Sequence, residues 1–137
     1  MKRSIILFFV VIFFSCSKGR FYDAEFYERI SGIKIPVSAH VLESFDNGEF
    51  VTTSTFEINE TDLKEFVKQY TFELKDGSNS PHFFGSNHLK GDRPNLHNSK
   101  NLYMNFGSKG KNSWLYIVDL KANRLWAEIQ YLDMAGD

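Results

Sequence analysis

Apolar and polar positions recur along this chain with two different periods, and together they predict an α+β fold. They alternate over residues 33–41 and again over residues 50–58, which is typical of strands with one buried side. The sequence Asp-Asn-Gly at residues 46–48 is a turn signal, so the two strands are expected to form a hairpin. The buried side of the first strand is predicted to comprise Ile33, Ile35, Val37, Ala39 and Val41.

Spacings of three and four residues between apolar positions predict two amphipathic helices, over residues 23–31 and 59–70. We expect the second helix to cover one face of the sheet, because its apolar positions form a continuous stripe. That stripe comprises Leu63, Phe66, Val67 and Tyr70. The candidate caps are Asp23 and Gly32 for the first helix, and Asn59 or Thr61 at the start of the second.

Three more strands are predicted over residues 102–106, 114–120 and 125–132, separated by turns. The pattern as a whole predicts about five antiparallel strands packed by one main helix, with a short N-terminal helix. A small barrel is the alternative, which two helices in so short a chain disfavour. In the last strand, Leu125, Ala127, Ile129 and Tyr131 face one way, whereas Trp126, Glu128 and Gln130 face the other.

Residues 76–101 follow neither period and are rich in Asn, Ser, Gly and Pro. Loops longer than about 12–15 residues are uncommon in compact domains and are often functional. Two adjacent rings, Phe83 and Phe84, need either burial or a contact surface. Our hypothesis is that this segment is a binding loop that presents Phe83 and Phe84 to a partner or ligand, beside His82 and His88. Trp126 is a further candidate for an exposed contact position, because aromatic residues are enriched at interfaces.

The N-terminus has the layout of a secretory signal peptide. Two positive charges at Lys2 and Arg3 precede an unbroken apolar run over residues 5–14, and Ser15-Cys16 closes it. The run has ten residues, whereas a membrane-spanning helix needs about 20. A single cysteine directly after such a run resembles the lipobox of bacterial lipoprotein precursors. The alternative is an ordinary signal peptide with an incidental cysteine, cut elsewhere.

This resemblance, which covers residues 1–16 only, implies a signal peptide of residues 1–15 and diacylglycerol on the Cys16 sulfur. Residues 16–20 then form a lipidated cysteine with a short tether, and residues 21–137 form a single α+β domain. In lipoproteins of enteric type, Ser17 rather than Asp after the cysteine resembles the outer-membrane sorting signal. The expected location is therefore the cell envelope, at the outer membrane, with a membrane as the first partner.

Composition narrows the function further. The formal net charge is −1, and loss of Lys2 and Arg3 with the signal peptide would make it more acidic. That balance argues against a nucleic-acid partner, which calls for a clustered basic face. Cys16 is the only cysteine, so no disulfide is expected and stability must come from the core.

Catalytic chemistry is sparse. His82, His88 and His97, with Asp76 or Asp92, are of ligand type for Zn²⁺, but their spacing matches no metal motif. We therefore predict no metal, no catalytic residue and no cofactor. Carboxylates on or near strands, taken as surface charge, are Glu43, Glu57, Glu128 and Asp133.

Two functional classes remain. We favour a lipid-anchored binding or interaction module that docks an envelope partner, because no set of catalytic roles can be assembled from these residues. The alternative is a small hydrolase or metal-dependent enzyme that uses the histidine-containing loop 76–101.

Overall fold

The computed structural model describes residues 22–48, 50–75, 82–83, 87–96 and 101–132. The predicted signal peptide, Cys16 and the tether lie outside these residues. Within them the chain forms two helices and six strands. In chain order these are α1 (Ala24–Ser31), β1 (His40–Asp46), β2 (Val51–Glu57), α2 (Glu60–Gln69), β3 (Glu73–Leu74), β4 (Leu102–Lys109), β5 (Asn112–Asp119) and β6 (Arg124–Gln130).

Helix α1 begins and ends as predicted. The Asp23 side chain accepts hydrogen bonds from the backbone N–H groups of Glu25 and Phe26, at 3.0 and 3.2 Å. Gly32 follows the last turn with φ of 71°, the left-handed conformation that glycine adopts without a steric cost. Tyr27 and Ile30 form the buried face of this helix.

Helix α2 is capped by Asn59, which settles the choice between the two candidate residues. The Asn59 side-chain oxygen accepts from the backbone N–H of Asp62 at 2.9 Å. Leu63 and Phe66 are fully buried on the face turned to the sheet. The prediction of one main helix on the sheet is only partly right, because α1 packs on the strands of the same face and α2 shares that core through Leu63 and Phe66.

Removal of the Asn59 side chain is expected to lower the free energy of unfolding by about 1 kcal/mol, because Asn59→Ala leaves one helix N–H without its acceptor. Thr61→Ala is the matched control: Thr61 is exposed in the first turn, and its loss should change stability by less than about 0.5 kcal/mol. Urea unfolding midpoints of the two variants and the wild type test this. Equal losses would mean that Asn59 is not the functional cap.

The strands form one antiparallel sheet in the order β1-β2-β6-β5-β4-β3. An α+β fold with an antiparallel sheet is therefore confirmed, but the described sheet has six strands rather than five. The additional strand is β3, where Glu73 pairs with Met104 and Leu74 with Tyr103. Two residues are too short to leave an alternating pattern in the sequence, so β3 could not be predicted.

The first predicted strand is wrong over all but its last two residues. Residues 33–39 lie outside the sheet, and β1 begins only at His40. Pro36 has no N–H to donate to a strand partner, and its carbonyl instead accepts from the Ala39 N–H at 3.0 Å in a turn. Val37, predicted to be buried, is consequently 97 % exposed.

Both faces of the sheet carry a core. The helix face is the larger, and it includes Tyr27 and Ile30 from α1, Leu63 and Phe66 from α2, and the β6 residues predicted to face this way. The opposite face, called here the loop face, has its own buried cluster. Its members are Phe83, Leu89, Leu102, Met104, Leu115, Ile117 and Trp126, with Leu96 packed against them. Residues from the predicted binding loop therefore cover the second face of the sheet.

Candidate functional site

Residues 87–96, called here the strap, lie on the loop face and are held there by side-chain packing. Leu89 is fully buried in the loop-face cluster, and Leu96 packs against the same cluster. The His88 ring stacks on the Phe45 ring of β1, with centroids 4.5 Å apart and an interplanar angle of 7°. The strap therefore reaches from the cluster under Leu89 to the edge strand β1.

A carboxylate of β1 holds the backbone of the strap. Glu43 accepts hydrogen bonds from the N–H groups of Lys90 and Gly91 at 2.6 and 2.9 Å. A Cβ atom at Gly91 would lie 3.1 Å from the Glu43 carboxylate oxygen Oε2, so this close approach suits glycine. Charge-assisted hydrogen bonds of this kind are stronger than those between neutral groups.

A second anchor fixes the strap to β6. The Asp92 carboxylate accepts from Arg124 Nε at 2.9 Å, and the Asp92 carbonyl accepts from Trp126 Nε1 at 3.0 Å. Arg124 also lies 3.4 Å from a carboxylate oxygen of Glu57. The strap is thus tied to β1 through His88, Lys90 and Gly91 and to β6 through Asp92.

The hypothesis of an exposed aromatic pair is wrong for the ring that the structure describes. Phe83 is 2 % exposed and belongs to the loop-face cluster. Trp126 is also buried, with its indole N–H bonded to the strap. Phe84 lies outside the described residues. Phe83 is therefore a core residue, although its segment has no periodic pattern of apolar positions.

The predicted site histidines are separated by the fold. His82 is exposed beside a cavity on the loop face, whereas the His88 ring is stacked on Phe45. His97 and Asp76 lie outside the described residues. Among the residues that the structure describes, no group of three or more His, Cys, Asp or Glu side chains is placed to hold a metal ion.

Of the four strand carboxylates, one differs in kind from the others. Glu43 and Glu57 have the structural contacts given above, and Asp133 lies outside the described residues. Glu128 is only 1 % exposed, which corrects its interpretation as surface charge. The sequence did carry a signal, since apolar residues on both sides of the chain at 125–127 indicate a strand buried on both faces.

Glu128 lies beside a cavity of about 180 Å³ on the loop face, between strands β4, β5 and β6. The side chains that form its walls include His82, Phe106, Ser113, Leu115, Glu128 and Gln130. Phe106 is 62 % exposed, so its ring is at the rim while the Glu128 carboxylate lies deep. The walls of the cavity thus include both a buried carboxylate and an exposed aromatic ring.

The strand register explains how these side chains meet. Phe106 pairs with Leu115, Leu115 with Glu128, and Glu128 with Thr53, so the four residues form one row across β4, β5, β6 and β2. Gln130, two residues along β6, donates its side-chain N–H to Glu128 Oε1 at 3.2 Å. The row therefore has the exposed Phe106 ring on β4 and polar side chains on β6 and β2.

The row contains one buried hydroxyl group, that of Thr53, and Thr55 carries a second one two residues along β2. Thr53 and Thr55, on the same side of β2, are at most 1 % exposed, and neither side-chain oxygen has a hydrogen-bond partner. Buried polar groups without a hydrogen-bond partner are rare in folded proteins, and a bound water or ion is one way in which such groups are satisfied. The hydroxyl groups of Thr53 and Thr55 can therefore still form hydrogen bonds.

A larger groove of about 300 Å³ lies between residues 34–38 and helix α2. Its polar groups already serve the fold: Asp62 accepts from Ser38 Oγ and from Asn59 Nδ2, and Tyr70 accepts from the Lys34 N–H. The bond from Ser38, and then that from Asn59, lowers the pKa of Asp62. Since Ser38, Asp62 and Tyr70 are engaged in these bonds within the fold, we consider this groove structural.

Comparison of the chain with protein-family models, with curated proteins and with solved structures gives no match. Within the described part of the chain, no helix combines the length and the apolar character needed to cross a membrane. Function must therefore be argued from the residues themselves.

Proposed function

We propose that this chain is a bacterial lipoprotein of the cell envelope, anchored through Cys16, whose domain is a small binding module. The observation that carries the binding role is the loop-face cavity of about 180 Å³, whose walls include the buried Glu128 and the exposed Phe106. Ligand sites are typically concave, with apolar and aromatic walls and a few placed polar groups. The loop-face cavity has this character.

The proposed anchor rests on the order of charges, apolar run, Ser15 and Cys16 at the N-terminus. Stable membrane attachment needs about two acyl chains, which a fully processed lipoprotein cysteine carries. From Cys16 to Tyr22, the first described residue, the chain can span roughly 20 Å when fully extended. The domain would therefore be held close to the bilayer, and Ser17 favours the outer membrane.

Replacement of the cysteine tests the anchor. In cells that express Cys16→Ala, we expect the protein to lose its acyl groups and to leave the detergent-extracted membrane fraction. Ser17→Ala is the matched control, since it changes the neighbouring residue but leaves the sulfur that takes the lipid. Mass spectrometry of the N-terminal peptide and cell fractionation provide the readouts. A wild-type chain without acylation would contradict the anchor.

The partner of the module is sought by affinity purification from gently solubilised membranes, with wild type and Cys16→Ala compared. One stoichiometric envelope protein that accompanies the wild type alone would make the domain a docking module. Acylation without a companion would favour a small ligand.

The enzyme alternative would use the histidine-containing loop, but its two described histidines have different surroundings. His82 lines the loop-face cavity, whereas the His88 ring stacks on Phe45. The proposed function therefore requires binding alone.

A further inference from the structure

We propose that one end of the sheet lies against an anionic lipid bilayer. This end, called here the turn end, consists of Phe50, Leu132 and the β4–β5 turn with Lys109 and Lys111. The inference rests on the proposed anchor and adds how the domain is oriented on the membrane. The strand register, the exposed apolar side chains, the charges and the reach of the tether support it.

The strand register brings these residues to the same end of the sheet. Strand β2 begins and β6 ends there, because Val51 pairs with Gln130. Beyond this pair the Tyr131 N–H donates to the Phe50 carbonyl at 2.9 Å, and Leu132 follows directly. Strand β5 runs antiparallel to β6 and to β4, so the turn between β4 and β5 lies at this end as well.

Two large apolar side chains are exposed at the turn end. Phe50 is 45 % exposed and Leu132 is 69 % exposed. Single apolar residues on a surface need no explanation, but these two extend neighbouring strands and lie at the same end as two lysines. Aromatic and aliphatic side chains together with basic ones are typical of protein surfaces that bind the interface of a bilayer.

The two lysines give this end a basic corner. Residues 107–113 contain Lys109 and Lys111 and no Asp or Glu. Both lysines are exposed, and neither forms an ion pair with another residue that the structure describes. The acid Asp46 lies at the same end, where it accepts a hydrogen bond from the Tyr131 hydroxyl at 2.8 Å. Each lysine near an anionic membrane surface strengthens attachment about fivefold.

The opposite end of the sheet differs in charge. Val37 lies there, close to the start of β1, and is 97 % exposed. The groove beside it is lined by two acids, Asp62 and Glu65, and by a single base, Lys34. Since acids are repelled by an anionic surface, the exposed apolar residue at that end has surroundings that do not suit the bilayer.

The tether is long enough to bring the lipid to the turn end. The centroid of the Tyr22 ring lies 5.2 Å from that of Tyr27, and the Tyr27 hydroxyl lies 3.4 Å from Thr52 Oγ1. Thr52 is two residues from Phe50, about 7 Å along the strand. From Cys16 to Tyr22 the chain can span roughly 20 Å. The acyl chains can therefore enter a bilayer against which this end lies.

Spin labels on introduced cysteines measure which end lies against the membrane. The acylated full-length chain is placed in nanodiscs of phosphatidylglycerol and phosphatidylcholine, with the label at Leu132→Cys. The matched controls carry it at the opposite end, at Val37→Cys or Ala122→Cys. Since an interfacial side chain is buried among headgroups, a neutral water-soluble nickel chelate should reach the Leu132→Cys label about threefold less than the controls. Equal access to all labels, or protection of Val37→Cys instead, would overturn the proposal.

The role of charge is tested with the lipid and with the lysines. In nanodiscs of phosphatidylcholine alone, or at about 1 M salt, where the screening length falls to about 3 Å, the Leu132→Cys label should lose its protection. Lys109→Glu combined with Lys111→Glu should have the same effect, whereas Lys121→Glu, in an exposed turn at the opposite end, is the matched control. Protection that depends on none of these changes would overturn the anionic surface. If the lysine variant does not fold, the lipid comparison still decides.

The native sulfur separates failure of this orientation from failure of the anchor. Cys16 is the only cysteine, so the wild type takes up spin label only if its sulfur carries no lipid. Labelled wild type would reject the anchor, whereas unlabelled wild type with equal access at both ends would reject the orientation alone. A Leu132→Cys label that is accessible in nanodiscs but protected in native membranes would assign the turn end to a protein partner and overturn the bilayer contact.

Discussion

Phe83→Ala is expected to lower the free energy of unfolding by about 3–5 kcal/mol, whereas Phe106→Ala should lower it by less than about 1 kcal/mol. The two substitutions delete the same atoms, but Phe83 is 2 % exposed in the loop-face cluster and Phe106 is 62 % exposed. Deletion of a buried ring removes its transfer free energy and leaves a cavity. Since the free energy of unfolding of a small domain is about 5–15 kcal/mol, the loss expected for Phe83→Ala is a large part of the total stability.

Urea unfolding of both variants, followed by tryptophan fluorescence, measures the difference. If Phe83→Ala proved as stable as Phe106→Ala, the Phe83 ring would be free for a partner, as the sequence alone had indicated.

Alkaline pH is expected to destabilise the domain through two buried tyrosines. Tyr27 and Tyr116 are fully buried, and burial raises the pKa of both phenols, partly offset by hydrogen bonds with Ser54 and Thr52 for Tyr27 and with Ser31 for Tyr116. In the unfolded chain each has the ordinary pKa of about 10. Below pH 10 both states are protonated, so the contribution of these groups to stability is fully present there.

Above pH 10 the unfolded chain releases protons that the folded chain retains, and stability falls. Each tyrosine contributes a loss of up to about 1.4 kcal/mol per pH unit, so the pair should cost about 3 kcal/mol by pH 11. The free energy of unfolding in urea, measured at pH 8, 9, 10 and 11, shows this slope. Tyr27→Phe should make it shallower, although it also removes two hydrogen bonds. An unchanged slope in that variant would assign the alkaline loss to other groups.

The features that the sequence predicts well are those whose signals are local. Both helices have their caps and their apolar stripes within a few residues, and Asp23, Gly32 and Asn59 act as the pattern indicates. Alternation also assigned the residues of β6 to the correct sides. Where one residue changes local hydrogen bonding, as Pro36 does, the alternation over residues 33–41 was misleading.

The loop face was beyond sequence reasoning because its contacts join distant residues. Glu43 lies 47 and 48 residues from its partners Lys90 and Gly91, and no periodic pattern reports such a pairing. Phe83 lies in an irregular segment, so its ring is expected to be exposed when these contacts are unknown. Its burial follows from the packing of that segment with Leu89 on one face of the sheet.

The order of strands has a consequence for how this chain is made. Strand β6 is the last of the described strands along the chain, yet it lies between β2 and β5. The N-terminal hairpin and the β4–β5 hairpin therefore have no direct pairing until residues 124–130 have been synthesised. Without β6 the described sheet is therefore divided into β1–β2 and β3–β4–β5, and the two-stranded part is at best marginally stable in water. We propose that this protein is exported. An unfinished sheet would keep the chain unfolded while it crosses the inner membrane, and the domain would fold afterwards.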